Sequence, residues 1–333
     1  MDKTAKIYVA GHAGLVGQSI VQQLKAQGYQ NLITRTHAEL ELCDSESVQK
    51  FFAETQPEYV ILAAAKVGGI YANSHYPADF IYQNLAIQTN VIHQAKEFGV
   101  ERLLFLGSSC IYPRECPQPI KEEYLLTSPL EPSNRPYALA KIAGIEMCWA
   151  YNRQYQTQFM AVMPTNLYGP GDNYDLKTSH VIPALIRKMH EAKVNNRESV
   201  EIWGTGTPKR EFMYSADLAN ACVHLLNLDD MKFKAIVGSE TQAPLINIGV
   251  GEDITIAQLA KQIAKTVGYK GQLKFNPDYP DGTPRKVLDV SRVAELGWSA
   301  KTSFIDGLEQ SYQAFKQQNI KSSQTQTSTV GVA

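Results

Sequence analysis

This sequence predicts a doubly wound α/β fold, in which a parallel sheet carries helices on both faces and a smaller carboxyl-terminal α/β domain follows. Three observations lead there. The first half alternates short apolar runs with longer amphipathic segments, the first apolar run passes into its helix through spaced glycines, and the second half is broken repeatedly by Pro and Gly.

In chain order, the strands are "KIYVA", "NLIT", "YVILAAA" and "RLLFLGSS", with helices expected over 15–25 and 45–55. A helix over 136–155 and the strand "FMAVMP" extend the alternation. Helices near 180–192, 215–228, 255–267 and 303–317 then interleave with the breaker-rich stretches "NLYGPGDN", "WGTGTPKREF" and "NPDYPDGTPRK". The chain is therefore expected to divide into a first domain over 1–170, to which later segments return, and a second mainly over 171–317. The polar stretch 318–333 shows no periodicity and is expected to be disordered.

Composition narrows the function. Among 333 residues, 32 Lys and Arg face 33 Asp and Glu, so no global charge draws the chain to nucleic acid or membrane, and any bound anion is held locally. Five cysteines, with no CxxC pair, argue against a disulfide framework and against a zinc site, so no metal is expected. The amino terminus lacks a secretory leader and no run of about 18 apolar residues occurs, so a reducing cytoplasm is the expected compartment.

The junction "KIYVAGHAGLVGQSIVQQL" explains the first domain. Gly11 permits a tight turn, Gly14 lets a pyrophosphate approach the backbone, and Gly17 allows close packing of the helix whose Val16, Ile20, Val21 and Leu24 face inward. With a parallel-sheet pattern following, this is a Rossmann-type dinucleotide site. The second strand leads to Arg35 and His37 and meets no carboxylate until Glu39, which favours NADP(H) and leaves NAD(H) as the alternative. Asp44 either bonds adenine or caps the next helix.

"NRPYALAKIAG" sets Tyr137 and Lys141 four apart, on one helix face. A neighbouring ammonium and an oxidised nicotinamide would lower the phenol pKa and make a usable acid or base. "GSS" ends the fourth strand at the sheet's carboxyl edge, where Ser108 can donate to a carbonyl beside Tyr137.

These motifs resemble the extended short-chain dehydrogenase/reductase superfamily. The strings "GSSCIYP", "EPSNRPYALAKIAG", "MPTNLYGPGDN", "SHVIPALIRK", "WGTGTPKREF" and "PDGTPRK" are similar to those of its GDP-L-fucose synthase family, over about residues 5–317. The resemblance implies a homodimer that epimerises GDP-4-keto-6-deoxy-D-mannose at carbons 3 and 5 and reduces carbon 4 with NADPH. It implies Cys110 and His180 as the epimerising acid–base pair, with Ser108 and Tyr137 holding the carbon-4 oxygen. Around the cofactor it places Leu15, Val16, Leu106, Gly107, Lys141, Pro164, Asn166, Leu167 and His180. Around the GDP-sugar it places Lys188, Trp203, Arg210, Asp281 and Lys286. Some bacterial members carry Arg where this chain has Ala13 and His37, which leaves Arg35 to meet the extra phosphate of NADP.

Two other functions compete. A nucleotide-sugar dehydratase would carry an Asp-Glu pair where this chain has Ser109 and Cys110. A cofactor-sensing protein without catalysis needs only the glycines and has no use for Tyr137, Lys141, Cys110 and His180.

Overall fold

The computed structural model describes residues 1–328. The first half builds β1 (Lys6–Ala10), α1 (Leu15–Ala26), β2 (Asn31–Ile33), α2 (Ser45–Thr55), β3 (Tyr59–Leu62), α3 (Ile70–His75), α4 (Pro77–Glu97), β4 (Arg102–Leu106), α5 (Arg135–Tyr155) and β5 (Phe159–Pro164). Then follow β6 (Asn166–Tyr168), α6 (Val181–Val194), β7 (Ser199–Trp203), β8 (Lys209–Arg210), β9 (Phe212–Tyr214), α7 (Ser215–Leu226), α8 (Asp230–Val237) and β10 (Leu245–Ile248). The chain closes with β11 (Ile254–Thr255), α9 (Ile256–Val267), β12 (Gln272–Asn276), β13 (Arg285–Lys286), α10 (Ser291–Glu295) and α11 (Phe304–Ser328).

The six-stranded sheet runs β10-β5-β4-β3-β1-β2, and every pairing in it is parallel. Its strands β3, β4 and β5 are buried at every position and apolar except for Arg102, as strands covered on both faces are. On one face, α1 buries Ile20 and Leu24, each worth ~1.5–3 kcal/mol. Val16 and Val21 pack half-buried at that edge, and α7 and α8 share the same core. On the other face, α2, α4 and α5 cover Val60, Leu62, Leu103 and Phe105.

A third apolar cluster joins α6, α9 and the start of α11 to β7 and β9. Three small sheets, β11-β8-β13, β12-β7 and β6-β9, organise this second region. The strands named from the sequence include none at 245–248, and the second half returns β10 to the large sheet beside β5. The last helix extends to Ser328, past the expected end at 317, so residues 318–328 of the stretch expected to be disordered are helix; residues 329–333 lie outside the described residues. Neither Gly nor Pro occurs between 308 and 330 to stop that helix. Among the described residues, no helix is long and apolar enough to cross a membrane.

Candidate active site

The glycine loop has the shape its sequence requires. Gly11 sits at φ +84°, and a Cβ there would lie 2.6 Å from the backbone nitrogen of Ala64. A Cβ on Gly17 would lie 2.1 Å from Gly11 O, so only glycine brings α1 this close to the loop. Gly14 has open space beyond Gly11 O at 3.6 Å. It caps α1 with no side-chain bond and no acidic residue in the first turn, so the helix's amino-terminal N–H groups and positive dipole end are free beside Leu15 and Val16. In the same loop, His12 Nδ1 is buried without a hydrogen-bond partner. These features fit a dinucleotide pyrophosphate.

Beyond β2, Arg35 is exposed; it donates to Thr34 O at 2.8 Å and lies 5.5 Å from the Phe51 ring. His37 pairs with Glu41 at 2.7 Å, and the Glu39 carboxylate accepts from the Thr36 N–H and hydroxyl. Of the two readings of Asp44, the structure shows the cap: its carboxylate accepts from Glu46 N–H and the Ser47 hydroxyl at the start of α2.

At the carboxyl edge of the sheet, β4 ends in Leu106, and Gly107 follows it. A side chain at Gly107 would strike Met163, whose neighbour Pro164 ends β5. Ser108 Oγ accepts from Cys110 N–H at 3.2 Å, which closes a short 3-10 turn over Ser109–Ile111 and presents Cys110. Asn166 and Leu167 follow on β6, and Asn166 Nδ2 donates to Glu211 O at 2.8 Å.

The helix α5 carries Tyr137 and Lys141 over this edge. It lies close to β4 because residue 144 is glycine; a Cβ there would come within 2.6 Å of the Phe105 ring. Lys141 is 3% exposed, donates to Leu106 O at 2.8 Å, and has its ammonium pulled down to about 7 by burial. The Tyr137 phenol is pushed up, by burial first and then by the neighbouring Cys110, while its bond with Ser108 opposes the shift. The Lys141 nitrogen turns to the backbone, 5.9 Å from the Tyr137 ring, and burial weakens its own charge.

Cys110 is half-buried, and its sulfur receives Asn134 Nδ2 at 3.2 Å and Lys286 Nζ at 3.8 Å. His180 stands at the N-cap of α6, reached by solvent yet crowded by protein, and desolvation lowers its imidazole pKa. Its loop rests on the one after β3, where Gly69 N–H donates to Thr178 O at 3.3 Å. Phe80 links that loop to the reductive side, its ring near Gly68 and edge-on to Tyr137. Among the described residues no hydrogen bond joins His180 to Cys110.

The residues expected at the GDP-sugar form a connected rim. Trp203 is 47% exposed and stacks on Tyr279 with ring centres 4.4 Å apart. Lys188 Nζ lies 5.0 Å from the Trp203 ring. Asp281 accepts from the Thr205 N–H and hydroxyl, each at 2.8 Å, and its backbone oxygen accepts from Arg210. Lys286 carries the rim to Cys110.

Three polar residues escaped the sequence reading. Asn84 clamps both backbone groups of Lys66, and Asn134 reaches Cys110. Glu211, fully buried, accepts from the N–H groups of Val250, Gly251 and Leu288, and so ties the Arg210 strand to the loop after β10. Nothing in the sequence separates such a carboxylate from a surface one; Tyr279 beside "PDGTPRK" was the readable omission.

Comparison with known proteins agrees with this geometry. Residues 7–237 match the model of the NAD dependent epimerase/dehydratase family. GDP-L-fucose synthase 1 of Arabidopsis thaliana is 56% identical, covering 93% of each chain. The GDP-L-fucose synthase of Escherichia coli K12 is 51% identical, covering 93% of this chain and 96% of its own. Among solved structures, a GDP-6-OMe-4-keto-L-xylo-heptose reductase from C. jejuni superposes with TM-score 0.90 at 39% identity, covering 96% of this chain and 99% of its own. A GDP-L-fucose synthetase from Naegleria fowleri bound to NADP gives 0.84 at 25% identity, covering 96% of each. With its glycine loop, its Tyr137–Lys141 helix and these likenesses, the chain belongs to the NAD dependent epimerase/dehydratase family.

Proposed function

We propose that this protein converts GDP-4-keto-6-deoxy-D-mannose to GDP-L-fucose, by epimerising carbons 3 and 5 and reducing carbon 4 with NADPH. The observation that carries the reading is the thiol of Cys110, set by the Ser108 turn beside Tyr137 and approached by two donors. A plain ketone reductase needs Tyr137 and Ser108 but has no use for that thiol.

Gly11, Gly14, Leu15, Val16 and Gly17 would hold the pyrophosphate, Arg35 the extra phosphate of NADP, and Leu106, Gly107, Lys141, Pro164, Asn166, Leu167 and His180 the nicotinamide end. Bound there, NADPH supplies the hydride for carbon 4. Tyr137 gives its proton to the carbon-4 oxygen, and its raised pKa keeps that proton in place until then. Ser108 donates to the same oxygen, which also steadies the enolate during epimerisation. Of Cys110 and His180, one removes a proton from the carbon beside the ketone and the other returns one to the opposite face. Lys188, Arg210 and Lys286 oppose the charge of the GDP, and Trp203 offers its face to the nucleotide.

A second copy of this chain is the proposed partner. The packed helices α4 and α5 leave the apolar side chains of Tyr82, Leu139 and Tyr155 exposed for such a contact, and sedimentation as a monomer would contradict it. Five free cysteines suit a reducing cytoplasm. The reading is tested by supplying the keto-sugar and NADPH and identifying the product. GDP-L-fucose is expected, and a reduced sugar unchanged at carbons 3 and 5 would overturn it.

A further inference from the structure

We infer that Asn134 is a positioning residue for Cys110, and that its side-chain amide holds the thiol in the orientation needed for proton transfer at carbon. This rests on the assignment of Cys110 to epimerisation. Asn134 occupies the N-cap of α5, where an asparagine ordinarily accepts an N–H of the first helical turn with its side-chain oxygen. Here it makes no such bond. Its Nδ2 instead donates to Cys110 Sγ at 3.2 Å, across 24 residues of chain, while Oδ1 is buried with no hydrogen-bond partner. A side chain that forgoes the local cap and leaves its oxygen unpaired owes its orientation to the sulfur.

The placement joins two halves of the site. Asn134, Tyr137 and Lys141 stand at i, i+3 and i+7, so they share one face at the start of α5. Ser108 aims the same cysteine from the backbone side, through the Cys110 N–H. The thiol is thus fixed at its backbone by the strand-end serine and at its sulfur by the helix that carries the reducing tyrosine. Lys286 adds a third hold, 3.8 Å away, from the carboxyl-terminal region.

The test uses Asn134→Ala and Asn134→Asp in the full-length protein with NADP⁺ or NADPH bound. Aspartate keeps the size and the capping ability of asparagine, but its ionised carboxylate only accepts. Incorporation of solvent deuterium at carbons 3 and 5 of the keto-sugar should fall roughly 10- to 100-fold in both variants, as for a misplaced reacting group. NADPH oxidation should fall by less than about threefold, with unepimerised or singly epimerised product accumulating. If Asn134 served only to start α5, exchange and reduction would fall together, because that helix carries Tyr137 and Lys141, and Asn134→Asp would restore both. Either that pattern or wild-type exchange in Asn134→Asp overturns the inference. Wild-type exchange in Cys110→Ser would instead remove the underlying assignment of the cysteine.

Discussion

The reductive and epimerising halves of the site draw on the chain differently. Ser108, Tyr137 and Lys141 come from one strand end and one helix of the sheet domain, and the bond from Lys141 to Leu106 O spans 35 residues. The groups around Cys110 come from farther apart, with Lys286 lying 176 residues away on a short strand of the second region. The reductive half is therefore set by packing of α5 on β4 that forms with the sheet itself. The epimerising half is complete only when β13 is seated against the 3-10 turn. Changes in the second region should disturb epimerisation before they disturb reduction.

The largest expected effect is on the reductive side. Tyr137→Phe removes the proton donor to the carbon-4 oxygen and should lower the steady-state rate of NADPH oxidation by roughly 10²–10⁴-fold. Deuterium exchange at carbons 3 and 5 should fall by less, because Ser108 still donates to that oxygen. Equal losses in the two assays would break the division. Lys286→Met works from the other side, removing a charge-assisted contact to the sulfur; exchange should fall about 10–100-fold, by more than reduction does. A larger loss in reduction would place Lys286 with the wrong half.

Smaller effects sharpen the cofactor end. Arg35→Ala should lower kcat/KM with NADPH by about tenfold, roughly 1.4 kcal/mol, and leave the value with NADH nearly unchanged. Equal losses with both cofactors would mean that Arg35 does not meet the extra phosphate. A separate effect, on stability instead of rate, concerns Lys141. The Lys141 ammonium is held at about 7 in the folded protein against an ordinary value of 10.5. The penalty for burying its charge is therefore full below about pH 7 and fades as pH rises toward 10.5. Relative to Lys141→Met, the wild-type protein should gain thermal stability across that window, in melts without cofactor. A difference between the two that stays flat with pH would contradict the burial of a charged amine.

The same contrast decides what could be read from sequence. The helix expected over 45–55 is α2, and the strands expected at 6–10 and 159–164 are β1 and β5, because covered parallel strands and amphipathic helices declare themselves by local period. The glycine loop was legible for the same reason. β10 was not, since "LINI" is four residues with no alternation, and only the sheet edge beside β5 decides where it goes. Asn134 was hidden because its position before a helix already accounts for an asparagine. The contribution of burial to the Tyr137 phenol was hidden too, because it depends on where the Lys141 nitrogen turns and how deeply α5 is buried, which spacing along a helix does not report.

The central claim is that Cys110 belongs to epimerisation and not to the core, and product analysis of Cys110→Ser tests it most directly. Serine keeps the size of the side chain but is a far poorer acid and base near neutral pH. With the keto-sugar, NADPH and deuterated solvent, the label at carbons 3 and 5 should fall sharply, and the cofactor consumed should yield an unepimerised or singly epimerised 6-deoxyhexose. A Cys110→Ser protein that exchanges deuterium at the wild-type rate and makes only GDP-L-fucose would contradict the account and leave the cysteine as packing.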